Sequence, residues 1–535
     1  MQRATVGKAF IGAVILAAGT STTGFTELAA ASVPTSCLQP AQGTTNDANL
    51  DQDLNNDAKP DLVLGVPRAS VGAAAGAGAV DIHYSTGQFG GGGVRATQRI
   101  TVSSLSGMPA PAAGDAFGSA TAFAELDAGD RDGCHDLVIG APGSDGGTGA
   151  VYIAFGSLTG ISSTGALRLT GQTTAERFGA AVAVVGDDIW IGAPDRTVAG
   201  RLGAGAIDHY RITGKNTVAR LETITEDSPG VPGVAEAGDH FGSVLHGELD
   251  NAPVYGVFDY SWPSDAADHL VIGEPYENVG SAVDAGSVTV LAFDPITHRV
   301  AGGRTVTQNT PGVPGVAEAG DHFGASVWTW EGYLAVGVPG EDVGSLSNAG
   351  MLQVFNNART SAPLTSYGAW TQNSPGVPGN AEAGDEFGAA VVVSFFFENG
   401  QLEVAVGSPG ESIGSVKGAG TVTFVLLPAH PSSTGFPQLW YQGPGALGGV
   451  PEAGDHVGAS LSLFAQPFSD FDVFYPEDTG DATLVIGVPG EDIGTQVDAG
   501  GVTTLWSSSI ATYHDSAGAI AHEQYGSVGP TSHNT

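Results

Sequence analysis

The sequence predicts an all-β fold, a seven-bladed β-propeller with four-stranded antiparallel blades, its ring closed by the C-terminal strand completing the first blade. Three observations carry that expectation. Short strand-like runs ending in Gly-x-Pro recur seven times, as LGVP (64–67), IGAP (139–142), IGAP (191–194), IGEP (272–275), VGVP (336–339), VGSP (406–409) and IGVP (486–489). Aromatic-Gly pairs alternate with them at Phe117-Gly118, Phe178-Gly179, Phe241-Gly242, Phe323-Gly324 and Phe387-Gly388, with Val457-Gly458 in the sixth place. Helical periodicity is almost absent after the first residues, so each unit reads as a small antiparallel sheet.

Each Gly-x-Pro run ends a buried strand: apolar residues such as DLV, HLV or TLV precede it, glycine permits a sharp turn, and proline cannot continue the ladder. An AG-x-hydrophobic strand follows, from GAVDIHY in the first unit to GGVTTLW in the seventh. The less regular segment after it is expected to supply a fourth strand. The aromatic ring then packs between sheets while its glycine lets the backbone bend past a neighbour. The first unit has no aromatic-Gly strand before Asp53, whereas Tyr525-Gly526 has no Gly-x-Pro after it. A terminal strand that completes the first blade would remove exposed edges.

One phrase stands between units. SPGVPGVAEAGDHFG (228–242) returns with small changes at 310–324 and 374–388, and as GGVPEAGDHVG at 448–458. Its end, DHFG, is expected to open an innermost strand, and the Pro-Gly-rich part to connect the outer strand of one blade to the next. Glu236 and Asp239, with Glu318, Asp321, Glu382, Asp385, Glu452 and Asp455, then line up from blade to blade. They would serve either as partners for backbone amides between blades or as an acidic collar for cations.

Of 535 residues 82 are Gly and 30 Pro, a turn-rich composition, yet 41% are apolar, which supplies a core. Lys and Arg total 18 against 56 Asp and Glu, and the net charge of -38 opposes nucleic acid and anionic lipid as partners. Cations, basic proteins and neutral glycans remain compatible with it. Arg3 and Lys8 precede and flank the apolar run AFIGAVILAAG, and Ala29-Ala30-Ala31 offers a cleavage site, so 1–31 reads as a signal peptide. That run is too short to span a bilayer. Residues 32–46 form a lead segment and 47–535 the propeller, giving a secreted chain without membrane insertion. Cys37 and Cys134 are the two cysteines, and export favours a disulfide over two free thiols.

The loop of the first unit reads DLNNDAKPDL, placing Asp53, Asn55, Asp57 and Asp61 at positions one, three, five and nine. Alternate oxygen-bearing side chains closed by a later carboxylate suit a hard cation, and calcium is the candidate. In the second unit, DAGDRDGCHDL, Asp130, Asp132 and Asp136 take positions three, five and nine, with Asp127 one residue from position one. The alternative is a polar turn whose Asp side chains cap backbone amides.

The alternation of Phe-Gly and Gly-Ala-Pro halves around these loops resembles the FG-GAP repeat family, best known from the propeller at the head of integrin α subunits. The resemblance covers roughly 47–529. It implies seven blades, calcium in loops between the first two strands of certain blades, and ligand binding on the opposite face. Integrins carry their calcium loops in later blades, whereas the matching loops here lie in the first two.

The expected function is a secreted, calcium-stabilised, non-catalytic binding or adhesion module for an extracellular protein or glycan, acting as a monomer. The alternative is a secreted hydrolase acting on ester, phosphodiester or glycan at the propeller channel. No G-x-S-x-G elbow or H-E-x-x-H motif is present. The pairs Glu341-Asp342 and Glu491-Asp492, and His240, His322 and His456, occupy equivalent places in the repeat and read as serving it. Two inserts, 255–269 and 468–482, are the least repetitive parts and are rich in Tyr, Phe, Trp and Asp. They suit protein or carbohydrate contact, or fill space beneath an enlarged blade.

Overall fold

Short apolar runs broken by Gly and Pro become strands of three to nine residues, 26 of them among the described residues, grouped into seven antiparallel sheets. The structure is a computed structural model describing residues 52–55, 61–85, 94–124, 126, 134–214, 217–248, 268–330, 332–394, 396, 402–427, 438–443, 447–465, 482–495 and 500–506. All belong to the unit Ser36–Thr535.

The first sheet holds β1 (Leu62–Val66), β2 (Ala79–Ser85) and β3 (Val94–Ile100). The second holds β4 (Ala120–Ala124), β5 (Asp136–Ala141), β6 (Ala150–Ala154) and β7 (Leu167–Thr170). The third holds β8 (Val182–Val185), β9 (Asp188–Ala193), β10 (Ala206–Gly214) and β11 (Thr217–Ile224). In the fourth are β12 (Val244–Glu248), β13 (His269–Glu274), β14 (Ser287–Phe293) and β15 (Val300–Val306). The fifth comprises β16 (Ser326–Trp330), β17 (Tyr333–Val338), β18 (Met351–Asn356) and β19 (Thr365–Trp370). The sixth comprises β20 (Ala390–Ser394), β21 (Glu403–Ser408), β22 (Thr421–Leu426) and β23 (Gln438–Trp440). The seventh contains β24 (Ser460–Ala465), β25 (Ala482–Val488) and β26 (Gly501–Trp506).

Every sheet is a simple meander in chain order, and together they form the seven-bladed propeller that the sequence predicts. The connectors such as 225–243 do lead from an outer strand to the first strand of the next sheet. Gln52 Nε2 donates to Leu463 O at 3.2 Å, joining the lead-in of the first sheet to β24 of the seventh. Tyr525-Gly526, expected to complete the first blade, lies outside the described residues.

The sheets pack through the aromatic-Gly elements. Phe117, Phe178, Phe241, Phe323 and Phe387 are fully buried, each in a core built by two successive sheets, and Val457 fills the same role between the sixth and seventh. Burying such a ring contributes roughly 1.5–3 kcal/mol relative to exposure. The residue before each ring turns through the left-handed region, with φ of 53 to 58° at Ala116, Arg177, His240, His322, Glu386 and His456.

The two repeated glycines meet each other across the sheets. Gly65, Gly140, Gly192, Gly273, Gly337 and Gly407 face the carbonyls of Gly118, Gly179, Gly242, Gly324, Gly388 and Gly458, so closely that a Cβ would stand 1.9 to 2.1 Å from the oxygen. The Gly-x-Pro turn of one sheet and the aromatic-Gly start of the next are thus two halves of one joint. In a meander, these turns and the connectors share one face, the joint face. The opposite, loop face carries the links between the first two and the last two strands of each sheet.

Candidate functional site

The joints into the fifth, sixth and seventh sheets use one set of side chains. Asp321 and Asp385 accept the amides of Glu318 and Glu382 at 2.6 and 2.5 Å, and Asp455 accepts that of Glu452 at 2.5 Å. These carboxylates therefore cap their own connector rather than reach between blades, which revises the expected inter-blade role. The inter-sheet contacts come from other residues. Gln308, Gln372 and Gln442, on the connectors, donate Nε2 to Glu341, Glu411 and Glu491 at 2.6, 2.5 and 2.5 Å. His322 and His456 set Nδ1 3.1 and 2.9 Å from the carbonyls of Pro275 and Pro409, the prolines of the preceding Gly-x-Pro turns, and His240 does the same to Pro194 at 3.2 Å. The histidines serve the repeat, as their spacing suggests. Burial raises Glu341 and Glu411 to about 7, partly offset by the glutamine amides, and raises Asp321 and Asp385 to about 6.

The joint into the third sheet carries a cation of its own. Arg196, at the place of Glu341, is buried and makes paired hydrogen bonds of 2.8 and 2.9 Å to Glu176 and to Asp208. Burial disfavours its charge, but the two carboxylates outweigh burial and hold its pKa above the ordinary value. Gln172, Arg220 and Thr223 also donate to Asp208.

The joint into the fourth sheet keeps the carboxylates and loses both the arginine and the amide. Glu226 replaces the connector glutamine, Glu277 stands at the place of Glu341, and Glu274 stands where Val338, Ser408 and Val488 stand in later sheets. Asp239 accepts the amide of Glu236 through Oδ2. Ligating oxygens of Glu226, Asp239 and Glu277 lie within 4.8 Å of one another. A cavity of about 220 Å³ opens beside them, lined by Glu226, Glu274, Glu277, Ser287 and Thr305 among others. Burial, followed by the neighbouring carboxylates, raises Glu226 strongly and Glu277 to about 8, while burial raises Glu274 to about 7. The sequence signals for this departure were two letters of the connector, TED at 225–227 against TQN at 307–309 and 371–373, and the glutamate of IGEP at 272–275.

Above these joints several large apolar side chains reach solvent. Leu202, Val234, Val283 and Val316 are exposed, and they sit on the turns and connectors of the third to fifth sheets. Tyr276, also exposed, places its ring edge-on between His240 and His322, with centroids 5.2 and 5.5 Å apart.

On the loop face, the structure brings together Asp53, Asn55 and Asp61. Asp53 Oδ1 accepts Asn55 N at 3.1 Å, Asp61 Oδ2 accepts Leu54 N at 3.0 Å, and Asp53 O accepts His135 N at 2.8 Å. Asn55 Oδ1 is buried with no hydrogen-bond partner. An all-oxygen set with one buried acceptor left over fits a hard cation. Asp57, Asp130 and Asp132 lie outside the described residues. Asp136 accepts Leu126 N at 3.0 Å and Gly156 N at 2.9 Å, one on each oxygen. Cys134 is buried and disulfide-bonded, and Cys37 lies outside the described residues. Most of the inserts 255–269 and 468–482 also lie outside them. A further grouping, Asp188, Asp268 and His298, is crossed by Arg211, which pairs with Asp187 and Asp188.

No helix among the described residues is long and apolar enough to cross a membrane. No curated protein matches the chain. Residues 130–153, which run through β5 and into β6, match the family model described as FG-GAP repeat. The same joint recurs from sheet to sheet, and the chain is a β-propeller that carries an FG-GAP repeat at residues 130–153.

Proposed function

We propose that the protein is exported and acts as a calcium-stabilised, non-catalytic binding or adhesion module for an extracellular protein. An FG-GAP propeller is in general a fold of the binding or adhesion type. The observation that carries the finer reading is the set of exposed apolar side chains on the joint face, Leu202, Val234, Tyr276, Val283 and Val316, on the turns and connectors of the third to fifth sheets. Several large apolar side chains exposed on one face favour a partner that removes them from water. Their mainly aliphatic character favours a protein over a glycan, and the surrounding carboxylates favour one with basic groups at its rim. Calcium at Asp53, Asn55, Asp57 and Asp61 would neutralise the loop and tie it to the second sheet through Asp53 and His135.

The test is a binding array of extracellular proteins and glycans, probed with the purified chain and with a Val283→Asp, Val316→Asp variant. Capture of a protein by the parent, lost in the variant at an unchanged melting temperature, is the expected result. Capture unaffected by the variant would move the ligand site elsewhere. Turnover of ester, phosphodiester or glycan substrates that vanishes on changing one channel residue would replace the binding reading with a hydrolytic one.

A further inference from the structure

The joint into the fourth sheet has internal controls on either side. One sheet earlier, Arg196 supplies a positive charge between Glu176 and Asp208. One sheet later, Gln308 supplies a neutral donor to Glu341. The fourth joint has neither, and it adds Glu226 and Glu274. Glu226, Asp239 and Glu274 are 3%, 1% and 2% exposed, respectively. Ser287 Oγ donates to Glu274 Oε2, and Glu226 and Asp239 share a hydrogen bond that requires one of them to hold a proton, while Glu274 Oε1 and Glu277 Oε2 are buried without a hydrogen-bond partner. Leaving a carboxylate oxygen unpaired away from water is costly, and among the described residues of the joints on either side the orphan atoms are neutral amide oxygens such as Gln308 Oε1, not carboxylates. Three of the four acids line the same cavity.

We propose that this joint binds a hard divalent cation, calcium or magnesium, through Glu226, Asp239 and Glu277, with Glu274 as a further ligand or water-holding group. The donor set is entirely oxygen, which selects hard cations over zinc or copper. Oxygens sharing one calcium ion at about 2.4 Å stand no more than about 5 Å apart, and those of Glu226, Asp239 and Glu277 meet that limit. The cavity of about 220 Å³ leaves room for water to complete the coordination. The ion would occupy the role that the Arg196 guanidinium fills one sheet earlier. This site is on the joint face and independent of the Asp53 loop.

The experiment counts ions. The full chain, stripped with chelator, is titrated with calcium chloride and separately with magnesium chloride by calorimetry, beside Glu226→Gln, the double variant Glu226→Gln, Glu274→Val, and Asn55→Ala. Both joint variants copy residues that a sister joint already uses, so they are expected to fold. The expected result is the loss of about one bound ion per chain in the joint variants, together with a melting temperature in chelator at or above that of the parent. Whichever metal loses the ion identifies the occupant. Unchanged stoichiometry for both metals in both joint variants would overturn the proposal, even if the variants gained stability. Asn55→Ala reports on the loop alone, so either site can fail without the other.

Discussion

Gly337 shows how a single hydrogen atom in place of a side chain sets the spacing of two sheets. A Cβ there would stand 1.9 Å from Gly388 O and 2.3 Å from Ser326 Oγ, and the backbone carbonyl cannot step aside without moving β20. Gly337→Ala is expected to cost about 3 kcal/mol or more, at or beyond the upper end of ordinary overpacking. Gly344, with φ of +68° and open space around it, is the contrast. Alanine there incurs only the left-handed backbone penalty of about 1–2 kcal/mol. Urea unfolding midpoints of the two variants check the difference, and equal losses would contradict the joint geometry. These glycines were legible in the sequence as turn formers. That the two kinds meet each other was not, because the meeting pairs lie about fifty residues apart and on different sheets.

At the scale of one joint, a connector, a turn and a strand start act together, and their acids make stability depend on pH. Burial holds Glu341 and Glu411 at about 7, above the ordinary 4.5 of glutamate. A raised folded-state pKa gives stability that is full below the ordinary value and is lost as pH rises through about 7. His246, on β12 against the Trp328 ring, runs the other way, because burial lowers it to about 4. Its contribution is full above the ordinary 6.5 and is lost as pH falls through about 4. In chelator the two glutamates outweigh the one histidine, so the melting temperature should fall as pH rises from about 4.5 to about 7. Glu341→Gln with Glu411→Gln should flatten that fall and leave the histidine contribution intact, and thermal scans across pH check both. A variant profile that superimposes on the parent would count against these acids as its source. The strand and turn halves of each joint were legible from their periodic Gly, Pro and aromatic residues. The Gln308–Glu341 bond was not, since two polar residues 33 positions apart carry no local pattern.

For the whole molecule, the sheet count was readable because each sheet writes its own Gly-x-Pro half, and six joints write an aromatic or Val-Gly half. In the first loop, Asp53 and Asp61 meet on the amides of residues 54 and 55, a local arrangement that the sequence spacing already suggests. The acidic cavity was hidden, since it arises where one copy departs from the rest by Glu226 and Glu274 within an otherwise repeated text. With a net charge of -38, the folded chain repels itself, and bound cations offset part of that repulsion. Chelation is expected to lower the melting temperature by several degrees, a few degrees for each kcal/mol lost. Asn55→Ala should weaken that response, and identical parent curves with and without chelator would argue against any stabilising ion.

The facing glycines also bear on how such a chain descends. The counterpart of Gly140 is Gly179, the counterpart of Gly192 is Gly242, and the counterpart of Gly337 is Gly388, in each case a residue of the following repeat. A change in one repeat is therefore judged by its successor, not by the repeat that carries it. A copy made by duplication arrives already matched to its neighbours, whereas a copy that drifts alone is mismatched at both ends. Uniform wording at the joints follows from that coupling, and the largest departures, the inserts 255–269 and 468–482, fall outside the facing glycines.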